Sequence, residues 1–259
     1  MDPQSPIRFA DRLLGRETLA GTVLTVPSVA LAELVAETVD FVWIDLEHGA
    51  LDTADVQPLA VAARAAGCAA FVRLASCDWS RVPAILDAGV DGVVAPRVES
   101  AVQARRLVDA LRHPPRGSRG FAARRATGYG RMASTRDPLC LAQVESAAGV
   151  QAAGEIAAVE GIDALVVGCA DLGLALDGTP EPTSSAVRDA IAQVQAAAEE
   201  HGIASGIAGP DDPQVLRELA GAVSTLLVCS ADVRIYARAV DETVAGLRAP
   251  VREGSGVGA

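Results

Sequence analysis

The chain has 259 residues and contains no lysine. It has 22 arginines, which are its only strongly basic side chains. Chemistry that proceeds through a Schiff base needs an amine whose pKa can be lowered, and arginine cannot supply one. The absence of lysine therefore excludes imine-forming aldolases, pyridoxal-phosphate enzymes and P-loop nucleotidases. A carbanion formed on this protein must be stabilised by a metal ion or by a fixed positive charge.

Long apolar runs and an excess of positive charge are also absent. Half of the residues are hydrophobic, but no run approaches the roughly 18 apolar residues of a membrane-spanning helix. The first residues lack the basic region and the apolar core of a signal peptide. A net charge of −11 argues against a nucleic-acid-binding protein, which normally carries a basic face. We therefore expect neither a membrane nor a nucleic acid as a partner.

The cysteines are an odd number and include no C-x-x-C pair. Most of the five lie in apolar stretches, where cysteine is usually a small hydrophobic residue. We therefore expect reduced, mostly buried thiols in a cytoplasmic protein. The residues concerned are Cys68, Cys77, Cys140, Cys169 and Cys229.

Short apolar segments alternate eight times with segments of helical periodicity. The predicted strands are residues 21–26, 41–45, 69–73, 92–96, 139–142, 164–167, 203–208 and 223–229. Eight alternations in a chain of this length match an α/β fold of the (β/α)8 (TIM) barrel type. A doubly wound open sheet is the alternative, but such sheets usually have a glycine-rich first turn, and none follows the first strand here. We predict one barrel domain over residues 1–249 and a disordered tail over residues 250–259.

Two of the predicted strands lead directly to a carboxylate. Glu145 ends the sequence L-A-Q-V-E, and Asp171 lies in A-L-V-V-G-C-A-D-L. Carboxyl ends of neighbouring barrel strands lie at the same mouth, where the two carboxylates would repel each other unless a hard divalent cation such as Mg²⁺ bound both. We therefore predict a metal site at this pair. The alternative is that each residue caps the helix that follows it, which for Asp171 is compatible with binding an anion.

Further polar residues follow the second and third strands. His48 lies in D-x-E-H-G, and Asp45 could orient its imidazole and raise its basicity. Glu47 either holds this loop or a water molecule. Arg73 ends an otherwise apolar strand, where a permanent charge is unfavourable unless an anion meets it, and we favour an enolate over a structural ion pair. The first, fourth, seventh and eighth strands end in small or apolar residues, which we expect only to shape the pocket.

Five motifs in a fixed order resemble the HpcH/HpaI family of metal-dependent 2-oxo-acid aldolases. They are W-I-D-L-E-H-G, F-V-R-L, G-S-R-G at Gly117–Gly120, Q-V-E and G-C-A-D-L, and the resemblance runs over about residues 15–245. It implies a (β/α)8 barrel, assembly into homo-hexamers built as trimers of dimers, and a divalent metal ion, which would be Mg²⁺, Mn²⁺ or Co²⁺.

The resemblance also implies roles for the residues at the strand ends. Glu145 and Asp171 would bind the metal ion, with pyruvate or its enolate chelating the same ion. Arg73 would stabilise the enolate oxygen. His48, paired with Asp45, would transfer the proton to and from the hydroxyl group that derives from the aldehyde.

A second set of implied roles concerns the keto acid. Gln143 would lie beside the bound 2-oxo acid, and the backbone of Gly168, Cys169 and Ala170 would meet its carboxylate. Asp87 in I-L-D-A-G matches a family carboxylate near the site, although a helix end that faces solvent explains it equally well.

The chain departs from the family pattern in ways that leave the substrate open. The metal-site turn reads G-C-A-D-L-G instead of G-P-A-D-L-S, and Val23 stands where a tryptophan is expected. The segment 119–131 is rich in arginine (Arg119, Arg124, Arg125 and Arg131). If these side chains face the pocket, a substrate with additional carboxylates would suit it; the alternative, which we favour, is a solvated loop.

The predicted reaction is the formation or cleavage of 4-hydroxy-2-oxo acids from a 2-oxo acid, pyruvate or oxaloacetate, and an aldehyde. One alternative is a citrate-synthase-like or acyl-CoA lyase enzyme of the same superfamily in a biosynthetic pathway. The other is a barrel that binds without catalysing. The natural aldehyde, the preferred metal and the pathway are not set by the sequence.

Overall fold

The computed structural model describes residues 6–132 and 137–249. Within these residues eight parallel strands close into a barrel in the order of the chain, so the predicted (β/α)8 fold is confirmed. The tail predicted over residues 250–259 lies outside the described residues. The strands are β1 (Leu19–Leu24), β2 (Phe41–Asp45), β3 (Ala69–Arg73), β4 (Gly92–Ala95), β5 (Leu139–Val144), β6 (Ala164–Gly168), β7 (Ala204–Ala208) and β8 (Leu226–Ala231).

Helices cover the outside of the barrel, so that most strands are buried on both faces and read as continuous apolar runs. Every residue of β2, β4 and β6 is buried. In the described part of the chain, no helix has both the length and the apolar character that crossing a membrane requires. The helices are α1 (Pro6–Leu14), α2 (Val29–Ala36), α3 (Thr53–Ala65), α4 (Val82–Asp87), α5 (Ala101–Leu111), α6 (Ala147–Gln151), α7 (Ala153–Ala157), α8 (Cys169–Asp177), α9 (Ser185–Glu200), α10 (Pro213–Ala220) and α11 (Asp232–Arg248).

Helix α1, which the sequence patterns did not predict, closes one end of the barrel. It precedes β1 and therefore lies at the amino ends of the strands. Phe9 of α1 is buried, with its ring centroid 5.6 Å from that of Phe41 and 5.2 Å from that of Phe71. Apolar side chains fill the barrel interior above this plug. The open mouth of the barrel is consequently at the carboxyl ends of the strands.

Strands β1 and β8 differ from the prediction at both ends, and the other strands differ at one end at most. Strand β1 begins at Leu19, two positions earlier than expected, and β8 runs from Leu226 to Ala231 instead of over residues 223–229. The buried carboxylate of Asp232 accepts the backbone N–H of Thr25 at 2.9 Å, which withdraws that residue from the sheet. The segment between β5 and β6 forms two short helices, because Ala152 leaves helical geometry between them.

Helix α11 is exposed over most of its length. Among its 17 residues only Asp232, at the amino end, is buried. Its exposed side chains include several large apolar ones, namely Val233, Ile235, Tyr236, Val240 and Leu247. An apolar surface on the last helix is available for contact with another molecule.

Candidate active site

The ends of β2 and β3 present a partly buried arginine held by two carboxylates. Asp45 and Arg73 are register partners in adjacent strands. Arg73 donates from Nε to Asp45 Oδ1 at 2.9 Å and from Nη2 to Asp45 Oδ2 at 2.6 Å, and its Nη1 lies 3.3 Å from Glu47 Oε2. Burial disfavours the charge on Asp45, but the hydrogen bonds and the charge of Arg73 outweigh it, so that the pKa of Asp45 is lowered. The guanidinium is thereby fixed at the mouth.

His48 lies beside this group, but its predicted pairing with Asp45 is wrong. The Asp45 carboxylate accepts the backbone N–H groups of Glu47 and His48 at 3.0 and 3.4 Å, while Arg73 occupies both of its oxygens. The carboxylate near the His48 imidazole belongs to Glu47, at 3.7 Å from Nε2 to Oε2. Burial raises the pKa of Glu47, and Arg73 and His48 oppose that rise. More than half of the His48 side chain is exposed, which leaves the imidazole free to meet a substrate at the mouth.

Glu145 follows β5 as a buried carboxylate with two protein donors. Gln143 donates from Nε2 to Glu145 Oε2 at 2.7 Å, and the backbone N–H of Arg97 donates to Glu145 Oε1 at 2.9 Å. Burial and the neighbouring carboxylates of Glu47 and Asp171 raise the pKa of Glu145 to about 7. The other amide atom of Gln143, Oε1, is buried and has no hydrogen-bond partner among the described residues. Both observations indicate a pocket that a cation and a polar ligand would complete.

The capping alternative for the two carboxylates is wrong. Ser146 caps α6 by accepting the backbone N–H of Gly149, so Glu145 is free of that role. Helix α8 begins at Cys169 with Gly168 as its N-cap, which places Asp171 inside the first helical turn. Neither carboxylate is therefore the N-cap of the helix that follows it.

Arg97 is a site residue that the sequence patterns missed. It follows β4 directly after Pro96, and its Nη2 lies 3.3 Å from Asp171 Oδ1 while its Nε lies 3.9 Å from Glu145 Oε1. The fourth strand does end in a small residue, Ala95, but the expectation that this end of the barrel only shapes the pocket is wrong. The available signal was a charged residue directly after a buried strand, the same signal that identified Arg73. Since one guanidinium contacts both carboxylates, Glu145 and Asp171 face a common point at the mouth.

This pair fits a divalent metal ion. Mg²⁺ is commonly held by one or two carboxylates, with water and substrate completing its shell, and Glu145 and Asp171 provide that number at one point. In residues 6–132 and 137–249, no group of three or more His, Cys, Asp or Glu side chains is arranged to hold a metal. The two carboxylates would therefore supply the protein ligands, and the remaining positions would be left to ligands from solution.

The turn between β6 and α8 contributes backbone rather than side chains. A Cβ atom on Gly168 would lie 2.5 Å from both Gln143 Nε2 and Glu145 Oε2, so this backbone approaches the two side chains closely. Cys169 is buried, and burial raises the pKa of its thiol to about 12, which keeps the sulfur protonated. The backbone N–H groups at the start of α8, from Cys169 and Ala170, are placed as an anion-binding helix terminus.

Comparison of the sequence with models of known protein families gives a match. The family model described as HpcH/HpaI aldolase/citrate lyase matches residues 26–224, which is more than half of the chain.

The chain belongs to the HpcH/HpaI aldolase/citrate lyase family. A 4-hydroxy-4-methyl-2-oxoglutarate aldolase of Hapsidospora irregularis is 33% identical to it over 210 residues, covering 76% of this chain and 78% of the relative. A hydroxypyruvate/pyruvate aldolase of Rhizorhabdus wittichii is 36% identical over 200 residues, covering 74% and 79%. A crystal structure of an HpcH/HpaI aldolase/citrate lyase family protein from Burkholderia cenocepacia has a TM-score of 0.88 at 32% identity and covers 93% of this chain and 99% of that one. The chain is accordingly an enzyme, an aldolase of the carbon–carbon lyase class.

One residue implied by the HpcH/HpaI resemblance does not join the cluster within this chain. Asp87 is the last residue of α4, which runs antiparallel to the strands and so ends toward their amino ends. Its Oδ1 accepts a 2.8 Å hydrogen bond from Nη2 of Arg119, whose side chain is only 3% exposed. Arg119 thus faces neither solvent nor this chain's own mouth. Arg124 and Arg131 are exposed, as expected for a solvated loop.

Proposed function

We propose that the protein is a metal-dependent lyase that forms or cleaves 4-hydroxy-2-oxo acids, using pyruvate or oxaloacetate and an aldehyde. The observation that carries the proposal is the convergence of Glu145 and Asp171 on one point, beside the buried Gln143 and the fixed guanidinium of Arg73. Aldolases of 4-hydroxy-4-methyl-2-oxoglutarate and of hydroxypyruvate or pyruvate among its relatives support the same class of substrate.

The metal ion in this proposal is Mg²⁺, Mn²⁺ or Co²⁺, held by Glu145 and Asp171. When bound, it supplies a Lewis acid that draws electrons from the keto oxygen of a 2-oxo acid. The backbone N–H groups at the start of α8 would bind the carboxylate of that acid. The unpaired Oε1 of Gln143 is an acceptor and would accept a hydrogen bond from a hydroxyl group or a water molecule beside it.

Side chains of the protein perform the other steps of the proposed reaction. Arg73, held by Asp45 and Glu47, presents fixed positive charge where negative charge develops as the C3–C4 bond breaks. His48 accepts the proton of the 4-hydroxyl group at an imidazole nitrogen during cleavage and returns it during synthesis. Asp45 acts as a positioning residue for Arg73. Glu47 lies between Arg73 and His48, with its Oε2 3.3 Å from Arg73 Nη1 and 3.7 Å from His48 Nε2.

We further propose that the enzyme acts as a cytoplasmic homo-hexamer, a trimer of dimers. The five cysteines are free, which is usual for a protein of a reducing compartment. The apolar side chains exposed along α11 support burial against another copy of the chain.

The decisive experiment is a pyruvate-plus-aldehyde panel with and without EDTA, with products identified by mass spectrometry. We expect 4-hydroxy-2-oxo acids that disappear with EDTA and return with Mn²⁺ or Mg²⁺. Glu145→Gln and Asp171→Asn should each lower activity by about 100-fold or more, because each removes a ligand of the group that stabilises the developing charge. Glu218→Gln, at an exposed glutamate of α10, is the matched control and should retain full activity.

Two results would contradict the proposal. Activity that survives EDTA, or that survives both Glu145→Gln and Asp171→Asn, would exclude the metal role of these carboxylates. A citrate or coenzyme-A product from oxaloacetate, with no product from aldehydes, would favour the citrate-synthase-like or acyl-CoA lyase alternative.

A further inference from the structure

Arg97 occupies an unusual position directly above the carboxylate pair. It follows Pro96 at the end of β4 and has a φ of 50°, in the left-handed region that non-glycine residues seldom adopt. Its backbone N–H donates to Glu145 Oε1 at 2.9 Å. The backbone is therefore tied to one of the carboxylates, and the side chain starts from a fixed point next to it.

The side chain of Arg97 contacts the same two carboxylates. Nη2 is 3.3 Å from Asp171 Oδ1 and Nε is 3.9 Å from Glu145 Oε1. The exposed fraction of the Arg97 side chain is 62%, against 1% for that of Glu145. Arg73, the neighbouring arginine at the mouth, is instead held by Asp45 and Glu47. Arg97 thus presents its positive charge at the point where the proposed metal site needs one.

We propose that Arg97 is a displaceable counter-ion of the carboxylate pair: its guanidinium bridges Glu145 and Asp171 when no metal is bound, and a divalent cation binds only by displacing it. The inference rests on the metal site of the proposed function. A guanidinium and a divalent cation within about 4 Å of each other repel strongly, so both cannot use the same oxygens at once.

The metal-free and metal-bound states differ in which cation balances the two carboxylates. Without a metal ion, the bridge offsets the repulsion between Glu145 and Asp171, and the carboxylates stay arranged for binding. With a metal ion, the exposed Arg97 side chain moves into solvent without leaving an unsatisfied buried charge. Because the metal must compete with a resident cation, Arg97 lowers the affinity of the site for metal.

Binding of Mn²⁺ to the metal-free protein tests this directly, with free Mn²⁺ measured by electron paramagnetic resonance and without any substrate. The variants are Arg97→Met and Arg97→Gly, the second of which also suits the left-handed backbone. We expect both to bind Mn²⁺ about 3- to 30-fold more tightly than the wild type, the range for loss of a partly exposed charge at close distance. Arg217→Met, at an exposed arginine of α10, removes one positive charge elsewhere and should change the affinity less than about 2-fold.

The melting temperature gives a second readout. Without metal, Arg97→Met should melt below the wild type, since the carboxylates then repel each other, and Mn²⁺ should raise the melting temperature of both variants more than that of the wild type. If Arg97→Gly binds Mn²⁺ no more tightly than the wild type, the displacement proposal is overturned while the metal site stands. If the wild type itself binds no Mn²⁺, or binds it equally well with Glu145→Gln, the proposed function fails instead.

Discussion

Arg73 is held at the mouth of the barrel by the side chains of two carboxylates. Its guanidinium makes two parallel hydrogen bonds to Asp45 from the neighbouring strand, and Glu47 approaches its third nitrogen. A guanidinium group held in this way loses little conformational freedom when a substrate binds. In the proposed reaction Asp45 would therefore act through Arg73, which donates to both of its oxygens.

Replacing Asp45 by asparagine should accordingly harm both stability and activity. The amide would place an NH₂ group against one of the Arg73 donors and leave that buried charge with Glu47 alone. We expect the free energy of unfolding to fall by about 3 to 5 kcal/mol, the range for breaking a buried ion pair. The kcat should fall by about 10- to 100-fold as the guanidinium loses its position. Urea unfolding and steady-state kinetics measure the two effects.

A double-mutant cycle distinguishes this role from the pairing with His48 that the sequence suggested. If Asp45 positions Arg73, the kinetic effects of Asp45→Asn and His48→Gln should add, because the two side chains are not bonded to each other. If instead Asp45→Asn has no effect in a His48→Gln background, Asp45 works through the imidazole and our assignment is wrong.

The pH dependence of the Asp45 effect has a defined sign. Burial opposes ionisation, but the bonds and charge of Arg73 lower the pKa of Asp45 below its ordinary value. A carboxylate with a lowered pKa stabilises the fold above its unfolded pKa of about 3.9 and loses that contribution as the pH falls through the lower folded value. The stability difference between the wild type and Asp45→Asn should stay constant from neutral pH down to about pH 5 and shrink below about pH 4. Urea titrations across this range would contradict the assignment if the difference grew at low pH.

At the scale of elements, the junction of β6 and α8 sets the shape of the site. Gly168 ends the strand and caps the helix, and its backbone lies against Gln143 and Glu145. An added methyl group would approach Gln143 Nε2 and Glu145 Oε2 to 2.5 Å, and both of these atoms are buried and hydrogen-bonded to each other. We expect Gly168→Ala to displace the carboxylate and weaken Mn²⁺ binding by about 10-fold or more, as substitutions around metal ligands do. Calorimetric titration with Mn²⁺ measures the change.

Gly154 provides the control for this substitution. It lies in α7, and an added Cβ atom would have nothing within 4 Å. Gly154→Ala should leave Mn²⁺ affinity unchanged and stabilise the protein by up to about 1 kcal/mol through helix propensity. Equal Mn²⁺ affinity in Gly168→Ala and Gly154→Ala would show that the junction does not position the metal ligands.

Much of the architecture could be predicted from the sequence because the signals are local. Buried parallel strands are continuous apolar runs, and a charge directly after such a run marks the mouth of a barrel. That rule identified Asp45, Arg73 and Glu145, and the structure brings all three to the same end. Applied to the fourth strand it would also have found Arg97.

The remaining features depend on contacts between distant parts of the chain. No pattern around Asp45 shows that Arg73, 28 positions later, takes both of its oxygens. Likewise, the bond between Asp87 and Arg119 joins a helix end to a loop and carries no sequence signal. The early end of β1 has the same origin, because the carboxylate of Asp232 binds the loop after β1.

At the scale of the whole molecule, α11 leaves an apolar surface that a single chain does not cover. Tyr236 is 73% exposed, and Val233 and Val240, three positions before it and four after it, are exposed on the same face of the helix. Exposed apolar residues scattered singly are ordinary, but several on one helix mark an interaction surface. A second copy of the chain is the partner that the proposed homo-hexamer requires.

Light scattering after size-exclusion chromatography tests this surface. Six chains of 26.4 kDa give about 158 kDa for the wild type. The double variant Tyr236→Glu/Val240→Glu should dissociate into smaller species, because burying two carboxylates in an apolar contact is strongly unfavourable. Val102→Glu places the same charge on an exposed valine of α5 and controls for added charge. A monomeric wild type would contradict the proposed assembly, whereas a double variant that stays hexameric would show that α11 is not the surface that holds it together.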